Sequence, residues 1–405
     1  MTVKDNLKYF ILFTFFIRSI CASLNPVILI PGDGGSQIDA KLNKTTSVHY
    51  LCQKQTNDYF NIWLNMELLV PFIIDCWIDN MKLIYNNRTR TTRNSDGVYL
   101  RIPGFGGTES VEWLDPSHAS TGSYFHPITD LLVSLGYQRN ITVKGAPYDF
   151  RKAPNENGQY FIDLKNLVEK TFEENNGRPI ILIAHSMGAL MSLHFLNQQD
   201  QGWKDKHIKT LVTLGGAWGG SMKAIKVYAI GDNLGSYALR ESIMRLQQIT
   251  SPSLAWLLPS PLFWKSNEVL VQTEKKNFTL SNLKEFFYGI SYPDGWEMRR
   301  DTEIYQLDFK PPGVEINCIY GTGVDTVERL YYKPGTWLDG YPALVMGNGD
   351  GTVNLRSLEG CRLWQNLQQQ KIFPKSFPKV DHLGILRDKG VLEYISNLVT
   401  SSNRA

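Results

Sequence analysis

A serine at the centre of a small-x-Ser-x-Gly pattern is the residue of this sequence best placed to act as a nucleophile. Ser186 stands in Ala184-His-Ser-Met-Gly188, directly after the apolar run Pro179-Ile-Ile-Leu-Ile183 and before residues 189–199, which have helical spacing. A strand that turns sharply into a helix exposes the serine hydroxyl, and the N–H groups of the helix N-terminus face a developing oxyanion. The competing interpretation is an ordinary strand-turn-helix with a surface serine. The pattern predicts a nucleophile elbow.

A serine nucleophile needs a general base, and the histidines that follow Ser186 are His194, His207 and His382. His194 lies eight residues into the predicted helix and cannot reach back to the serine. His207 precedes a predicted strand in a lysine-rich stretch, where we expect it to be solvated. His382 stands in Val380-Asp-His-Leu-Gly384, just before the last predicted helix, where this class of fold places its base.

The carboxylate that orients the base is predicted to be Asp350, with Asp325 as the alternative. Asp350 lies in Gly347-Asn-Gly-Asp-Gly-Thr-Val353, directly after a strand predicted at residues 343–346. Glycines on both sides allow the backbone to turn the carboxylate toward the site. A plain turn aspartate is the competing interpretation of the same pattern.

Two donors are expected to bind the oxyanion that forms during acyl transfer. The first is the backbone N–H of Met187, and the second should come from the turn Pro31-Gly-Asp-Gly-Gly35, around Asp33 and Gly34. An ionised Asp33 would repel the developing negative charge, whereas a protonated Asp33 can donate a hydrogen bond. This property favours an acidic compartment.

Strands and helices alternate along much of the chain. The predicted strands are 27–30, 98–102, 141–143, 179–183, 208–214, 314–320 and 343–346, and the predicted helices are 123–135, 160–175, 189–199, 355–370 and 391–399. Such alternation indicates the α/β class, here an α/β-hydrolase core with a mostly parallel sheet and helices on both faces. We predict that residues 24–47, 89–214 and 311–405 form this core.

Two irregular regions interrupt the alternation. Residues 215–310 are rich in Trp, Pro and Leu and are predicted to form a cap domain with a lid loop. Residues 48–88 are predicted to form a smaller insertion. Its apolar residues either dock on a bilayer or pack within the cap, or divide between the two; the predicted membrane-binding residues are Trp63, Leu64, Leu68, Leu69 and Phe72.

The first 23 residues have the pattern of a secretory signal peptide. Lys4 and Lys8 precede the apolar residues 9–17, and Cys21-Ala-Ser23 offers small residues for cleavage before Leu24. An uncleaved anchor is the alternative. Passage through the secretory pathway agrees with N-glycosylation sequons at Asn43, Asn87, Asn140 and Asn277.

Cysteine usage and charge place further bounds on the protein. After the predicted cleavage, Cys52, Cys76, Cys318 and Cys361 allow three pairings, of which nearest-neighbour pairing is the default in an oxidising compartment. With 42 Lys and Arg against 39 Asp and Glu, the formal net charge of +3 gives no reason to expect nucleic-acid binding. Zinc-site spacings are missing from the sequence, and the predicted chemistry needs no metal or cofactor. We expect a monomer.

Over nearly its whole length after residue 23, the chain resembles the lecithin:cholesterol acyltransferase-like family. The motifs that it shares, besides the nucleophile motif, are Ile30-Pro-Gly-Asp-Gly-Gly35, Ile74-Asp-Cys-Trp-Ile-Asp79, residues 98–106, Gly145-Ala-Pro-Tyr-Asp-Phe-Arg151, Pro154-Asn-Glu-Asn157, Trp218-Gly-Gly220, residues 289–302 and residues 347–357. The Gly-Asp-Gly-Thr-Val-Asn form of the acid loop is closer to the lysosomal branch of the family than to the plasma acyltransferase.

The resemblance implies a role for each of the predicted site residues. It implies a catalytic triad of Ser186, Asp350 and His382, an oxyanion hole at Asp33 and Met187, and the two nearest-neighbour disulfides. It also implies a membrane-binding segment at residues 52–76 and a mobile lid at residues 219–245. The chain departs from the lysosomal branch at Gly34, where that branch has a larger apolar residue, which bears on the oxyanion turn and on acyl-chain preference.

The reaction implied by the resemblance is acyl transfer from a glycerophospholipid at a membrane surface. The acyl group passes to Ser186 and then to water, or to a lipid alcohol such as N-acylsphingosine (ceramide). The implied location is the lysosome lumen, with secretion as the alternative. Two other functions compete with this one: a secreted phospholipid–sterol acyltransferase, and a catalytically silent lipid-binding protein on the same scaffold.

Overall fold

The computed structural model describes residues 24–118, 122–235 and 239–401, so the predicted signal peptide at residues 1–23 lies outside the described residues. Within these ranges the strands β1 to β15 are Val27–Ile30, Ile38–Leu42, Phe60–Trp63, Leu83–Asn86, Thr91–Asn94, Val98–Arg101, Val143–Gly145, Ile180–His185, Ile208–Leu214, Val271–Gln272, Asn277–Phe278, Ile316–Thr322, Val324–Tyr331, Ala343–Gly349 and Ile372–Pro378.

The helices of the same ranges are mostly short. The α-helices α1 to α13 are Ile74–Met81, Glu109–Glu112, His126–Ser134, Gly158–Glu174, Met187–Asn197, Gln201–His207, Met222–Ile230, Glu241–Gln248, Pro252–Trp256, Leu283–Gly289, Pro293–Leu307, Leu355–Leu358 and Lys389–Ser401. The 3₁₀ helices are Met66–Leu69, Pro154–Glu156, Leu280–Asn282, Gly360–Trp364 and Gly384–Leu386. No helix of the described part of the chain is long and apolar enough to cross a membrane.

The central sheet has the strand order β15-β12-β9-β8-β1-β7, and its pairs are parallel. Every residue of β1 and β8 is buried, as expected for parallel strands covered on both faces. Along β1, Ile28 and Ile30 join one hydrophobic cluster while Val27 and Leu29 join another, because successive side chains point to opposite faces. The predicted α/β-hydrolase architecture is confirmed.

Parallel strands bring their carboxyl ends to one edge of the sheet. The turn at residues 31–35 follows β1, Ser186 follows β8, and His382 lies four residues after β15. Three segments that are distant in sequence therefore meet at this edge, which is where open α/β sheets bind ligands.

The sequence predicted the N-terminal half of the sheet better than the C-terminal half. β1 and β9 have the predicted bounds, but the helix predicted at 355–370 is only α12 followed by the 3₁₀ helix Gly360–Trp364. β15 was not predicted, because Pro374, Lys375 and Pro378 are atypical of a strand. At the edge of the sheet these residues are tolerated, since a proline there need not donate to a neighbouring strand.

A second, smaller sheet has the order β11-β10-β13-β14. Its strands share a hydrophobic cluster with α7, α9, α10 and α11, helices that lie within residues 215–310, where the sequence predicts a cap. The strand predicted at residues 343–346 was expected to extend the main sheet, but β14 pairs antiparallel with β13 in the smaller sheet. Part of the segment 311–405, predicted as core, thus belongs to the smaller sheet.

The predicted insertion at residues 48–88 packs beside the main sheet through β3 and α1. β3 pairs with β2 in a sheet of order β3-β2-β6, and β4 pairs with β5. A disulfide joins Cys52 to Cys76 at the start of α1, and a second joins Cys318 in β12 to Cys361. Both are the nearest-neighbour pairs expected from the sequence.

Candidate active site

Ser186 occupies a sharp turn between β8 and α5. Its backbone has φ 54° and ψ −122°, a conformation that is rare for a residue with a side chain and is typical of strained functional positions. The helix behind it passes close to β1: a Cβ at Gly188 would lie 2.5 Å from the carbonyl oxygens of Ile30 and Pro31. A side chain at position 188 would push α5 away, so the glycine of the motif is a packing requirement.

The structure brings Ser186, His382 and Asp350 into one hydrogen-bonded series. His382 Nε2 lies 2.8 Å from Ser186 Oγ, and His382 Nδ1 lies 2.7 Å from Asp350 Oδ2. All three residues are buried, with 9%, 8% and 1% of Ser186, His382 and Asp350 exposed. With Nδ1–H donating to the carboxylate, Nε2 is free to accept the proton of the serine hydroxyl, which is the geometry of general-base activation.

The acid loop is held by its own backbone. Asp350 Oδ1 accepts hydrogen bonds from the N–H groups of Thr352 and Val353, and the Asp350 carbonyl accepts one from the His382 N–H. These bonds leave Oδ2 directed at the imidazole. Asp325, the alternative acid, is exposed on β13.

The other two histidines lie away from this series. His194 Nε2 accepts a hydrogen bond from the amide nitrogen of Gln198, one turn further along α5, as expected for a helix histidine. The prediction of a solvated His207 was wrong, because its side chain is buried and Nδ1 donates to the carbonyl of Trp203. Its ring packs on Phe172 and Trp203, contacts that a lysine-rich local sequence does not reveal.

The turn after β1 lies directly over the serine. A Cβ at Gly32 would be 2.7 Å from Ser186 Cβ, so only glycine allows the turn to approach so closely. The Gly35 N–H donates to the Gly32 carbonyl and closes the turn, while the Tyr148 hydroxyl donates to the Pro31 carbonyl. The turn at Asp33 and the N-terminus of α5, which begins at Met187, thus flank the nucleophile from two sides.

Asp33 is exposed at the turn after β1, although protein atoms surround its carboxylate and reduce its solvation. This desolvation raises the pKa of Asp33 to about 6, although Lys223 and the Gly34 N–H act in the opposite direction. Asp232 adds to the rise. Asp33 therefore changes charge in the weakly acidic range.

The residues predicted to contact a membrane divide into two groups. Phe72 is 69% exposed, Leu64 and Leu68 are half-buried, and Trp63 and Leu69 are buried. The structure places Trp63 on the active-site side, where its indole N–H donates to the Gly34 carbonyl at 2.8 Å. The ring also packs against Trp77 and Phe150.

Trp63 and Leu69 therefore lack the exposure that lipid contact requires, because an apolar run does not indicate which of its members face the core. Exposed neighbours that the sequence analysis did not single out are Met66 and Val70. With Phe72, they are the exposed apolar residues of the stretch 63–72, and we call these three residues the docking ridge.

The asparagines of the predicted sequons are all exposed: Asn43, Asn87, Asn140 and Asn277. Asn140 Oδ1 accepts a hydrogen bond from the Thr108 N–H. Glycosylation at these positions stays a prediction.

The parallel sheet, the strained serine after β8 and the hydrogen-bonded Ser186–His382–Asp350 series together define a serine-hydrolase site of the α/β-hydrolase class. Residues 59–389 match the sequence model of the family described as Lecithin:cholesterol acyltransferase. The chain belongs to this family, as its motifs predicted.

Curated relatives support the same assignment. The chain is 47% identical over 374 residues to "Lysosomal phospholipase A and acyltransferase" of Homo sapiens, covering 92% of this chain and 90% of that protein. It is 41% identical over 364 residues to "Phosphatidylcholine-sterol acyltransferase" of Gallus gallus, covering 90% and 87%.

Among solved structures, a chain of the Tle4–Tli4 complex is similar, with a TM-score of 0.52, 14% identity, and coverage of 94% of this chain and 98% of that one. At this identity, the similarity concerns the fold alone.

Proposed function

We propose that this protein is a phospholipase and acyltransferase that cleaves fatty-acyl esters of glycerophospholipids through an acyl-serine intermediate. The observation that supports this most directly is the buried series from Asp350 through His382 to Ser186, in a chain of this family. A lipid-binding protein without catalysis has no need for a serine held in a strained conformation against an imidazole.

The proposed reaction begins when the Ser186 oxygen attacks the ester carbonyl and His382 Nε2 takes the hydroxyl proton. Asp350 stabilises the imidazolium that forms, and the Met187 N–H and the turn at Asp33 stabilise the negative carbonyl oxygen. The carbon–oxygen bond of the ester then breaks, and the leaving lysophospholipid receives the proton from His382. An acyl-serine remains.

The second half of the reaction transfers the acyl group to an acceptor. His382 takes the proton of a water molecule or of a lipid alcohol as its oxygen attacks the acyl-serine, and then returns that proton to Ser186. Water yields a fatty acid, and the hydroxyl of N-acylsphingosine yields an acylated ceramide. One relative is named as a phosphatidylcholine-sterol acyltransferase, so a competition between sterol and ceramide as acceptors separates the two acceptor classes.

We propose that the docking ridge binds the surface of a phospholipid membrane and that the protein acts in the lysosome lumen. The exposure of Met66, Val70 and Phe72 supports the first proposal. The second rests on the relatives of 45–47% identity, which are named as lysosomal, and on the raised pKa of Asp33.

Lipid product analysis tests the proposed function. Purified wild-type protein and the Ser186→Ala variant are incubated with phosphatidylcholine liposomes, with and without N-acylsphingosine, at acid and at neutral pH. We expect lysophospholipid with fatty acid or acylated ceramide from the wild type only. A wild type that releases no product and does not react with a fluorophosphonate probe contradicts the proposal.

A further inference from the structure

A tyrosine and a histidine that the proposed reaction does not use lie directly behind the nucleophile. Tyr124 precedes α3, His185 is the last residue of β8, and both side chains are buried. The Gly32 N–H lies 2.9 Å from Tyr124 Oη, and Tyr124 Oη lies 2.5 Å from His185 Nδ1. His185 Nε2 lies 2.9 Å from the carbonyl oxygen of His382.

The chemistry of the two ends fixes the direction of every bond in this series. The Gly32 N–H can only donate, and the His382 carbonyl can only accept. If the hydroxyl proton of Tyr124 goes to His185 Nδ1, the proton on Nε2 goes to the carbonyl, and each donor and acceptor has a partner. The network therefore assigns His185 as the neutral Nε2–H tautomer.

The surroundings of His185 oppose its protonation. Burial, together with the nearby His382, lowers the pKa of His185 well below its ordinary value. A cationic His185 would also leave the Tyr124 hydroxyl proton without its acceptor. The two imidazole rings lie 4.8 Å apart, so a neutral His185 spares the imidazolium of His382 a like charge at close range.

The series connects the three segments that the proposed reaction must align. Gly32 lies next to Asp33 in the oxyanion turn, and His185 lies next to Ser186. In the third segment, the series reaches the backbone carbonyl of His382 itself. Tyr124 fits against the turn because position 35 is a glycine. A Cβ at Gly35 would lie 2.8 Å from the Tyr124 ring and would clash with it. The glycines of the turn thus allow Tyr124 to reach it.

We propose that Tyr124 and His185 are positioning residues that hold the oxyanion turn, Ser186 and His382 in register for acyl transfer. Asp350 orients the imidazole of His382 through the hydrogen bond to Nδ1, whereas His185 bonds the backbone carbonyl of His382. This inference rests on the proposed serine chemistry and adds to it two residues that need not touch the substrate.

The test compares Tyr124→Phe, His185→Gln and His185→Ala in the full-length protein on a soluble short-chain ester. We expect kcat to fall about 10- to 100-fold in Tyr124→Phe and His185→Ala, because misplacement of reacting groups costs rates of that order, with KM changed less than about twofold. His185→Gln should recover part of the loss, because an amide can both accept and donate. The rate of labelling by a fluorophosphonate probe should fall in parallel with kcat.

Two further tyrosines supply controls. The buried Tyr137 hydroxyl has no hydrogen-bond partner among the described residues, so Tyr137→Phe makes the same deletion outside the series and should leave kcat unchanged. Tyr148 bonds the oxyanion turn at Pro31 but not His185. Losses from Tyr124→Phe and His185→Ala should therefore be strongly non-additive, whereas Tyr148→Phe and His185→Ala, which share the turn but no direct bond, should show a smaller coupling.

The proposal is overturned if Tyr124→Phe and His185→Ala fold and keep the wild-type kcat and labelling rate. It is also overturned if the losses of these two variants add, or if Tyr137→Phe loses as much activity as Tyr124→Phe. Folding is checked by circular dichroism and thermal unfolding. If Tyr124→Phe does not fold, the kcat and KM of His185→Gln and His185→Ala decide. A wild type that fails to label contradicts the proposed function itself, whereas a wild type and variants that label equally contradict only the positioning role.

Discussion

The active-site edge of the main sheet and the docking ridge differ in the solvent exposure and polarity of their key side chains. At the edge, Ser186, His382 and Asp350 are buried, and hydrogen bonds join the serine hydroxyl, both imidazole nitrogens and the carboxylate. On the ridge, Phe72 and its neighbours expose apolar surface that the described residues leave uncovered. A buried polar group without a bond is costly, so the first region must be built to fixed distances, whereas the second needs only exposure.

This difference explains what the sequence could predict. The triad residues were predicted individually, because a turn, a base and an acid must follow strands in a set order. Of the ridge residues, only Phe72 was among the five predicted to bind a membrane, because the hydrophobic residues of one run face both the core and the solvent. Substitutions at each region should separate chemistry from membrane binding.

The largest effect is expected for Ser186→Ala. Removal of the nucleophile should lower kcat on phospholipid and on a soluble ester by about 10⁶-fold, as loss of an attacking serine does in other serine hydrolases. Liposome co-sedimentation should stay at the wild-type level, because the ridge is untouched. Loss of binding in this variant would show that the two regions are not independent.

Asp350→Asn should lower kcat by about 10⁴-fold, because an amide no longer stabilises the imidazolium or fixes the tautomer of His382. Asp325→Asn is the matched control, since Asp325 is exposed on β13 and should give wild-type rates. Steady-state kinetics on the soluble ester measures both. A large loss in the control together with none in Asp350→Asn would reverse the assignment of the acid.

Phe72→Ser with Val70→Ser should weaken liposome binding about 10-fold or more, since burial of one large apolar side chain contributes about 2 kcal/mol. Turnover of the soluble ester should not change. Ile304→Ser is the matched control, because Ile304 is also 69% exposed but lies on α11. Equal weakening in the control would mean that docking is not confined to the ridge.

Trp63→Ser should lower activity in both assays, unlike a substitution on the ridge. The indole of Trp63 donates to the Gly34 carbonyl and packs against Phe150, so its loss disturbs the oxyanion turn. Trp63→Phe, which keeps most of the packing but not the N–H, should recover part of the rate. A Trp63→Ser variant that turns over the soluble ester normally but binds liposomes weakly would return Trp63 to the docking surface.

The smallest change is expected from Asp33→Asn. Because the pKa of Asp33 is raised to about 6, the wild type holds a protonated donor below that pH and gains a negative charge above it. Asparagine keeps a donor and cannot ionise, so the activity of the variant should extend to higher pH. Lys223→Met should act in the same direction, since Lys223 lowers the pKa of Asp33. Profiles on the soluble ester that match the wild type would remove Asp33 from the pH response.

Some features of the site had no signal in the sequence. His185 lies inside the nucleophile motif but was not predicted as a site residue, because the base of this fold follows the nucleophile in sequence. Its signal was a histidine at the end of an otherwise apolar, fully buried strand. Tyr124 had no such signal, since only the folded chain brings it to Gly32. The strand β15, which leads to His382, was hidden by its prolines.

The acid and the base of the proposed triad come from different layers of the molecule. Asp350 follows β14 of the smaller sheet, while Ser186 and His382 follow strands of the main sheet. Any loosening between the two layers withdraws the carboxylate from the imidazole before either sheet has melted. Turnover therefore reports on the contact between the two layers. On heating, activity should be lost at a lower temperature than the helical signal in circular dichroism.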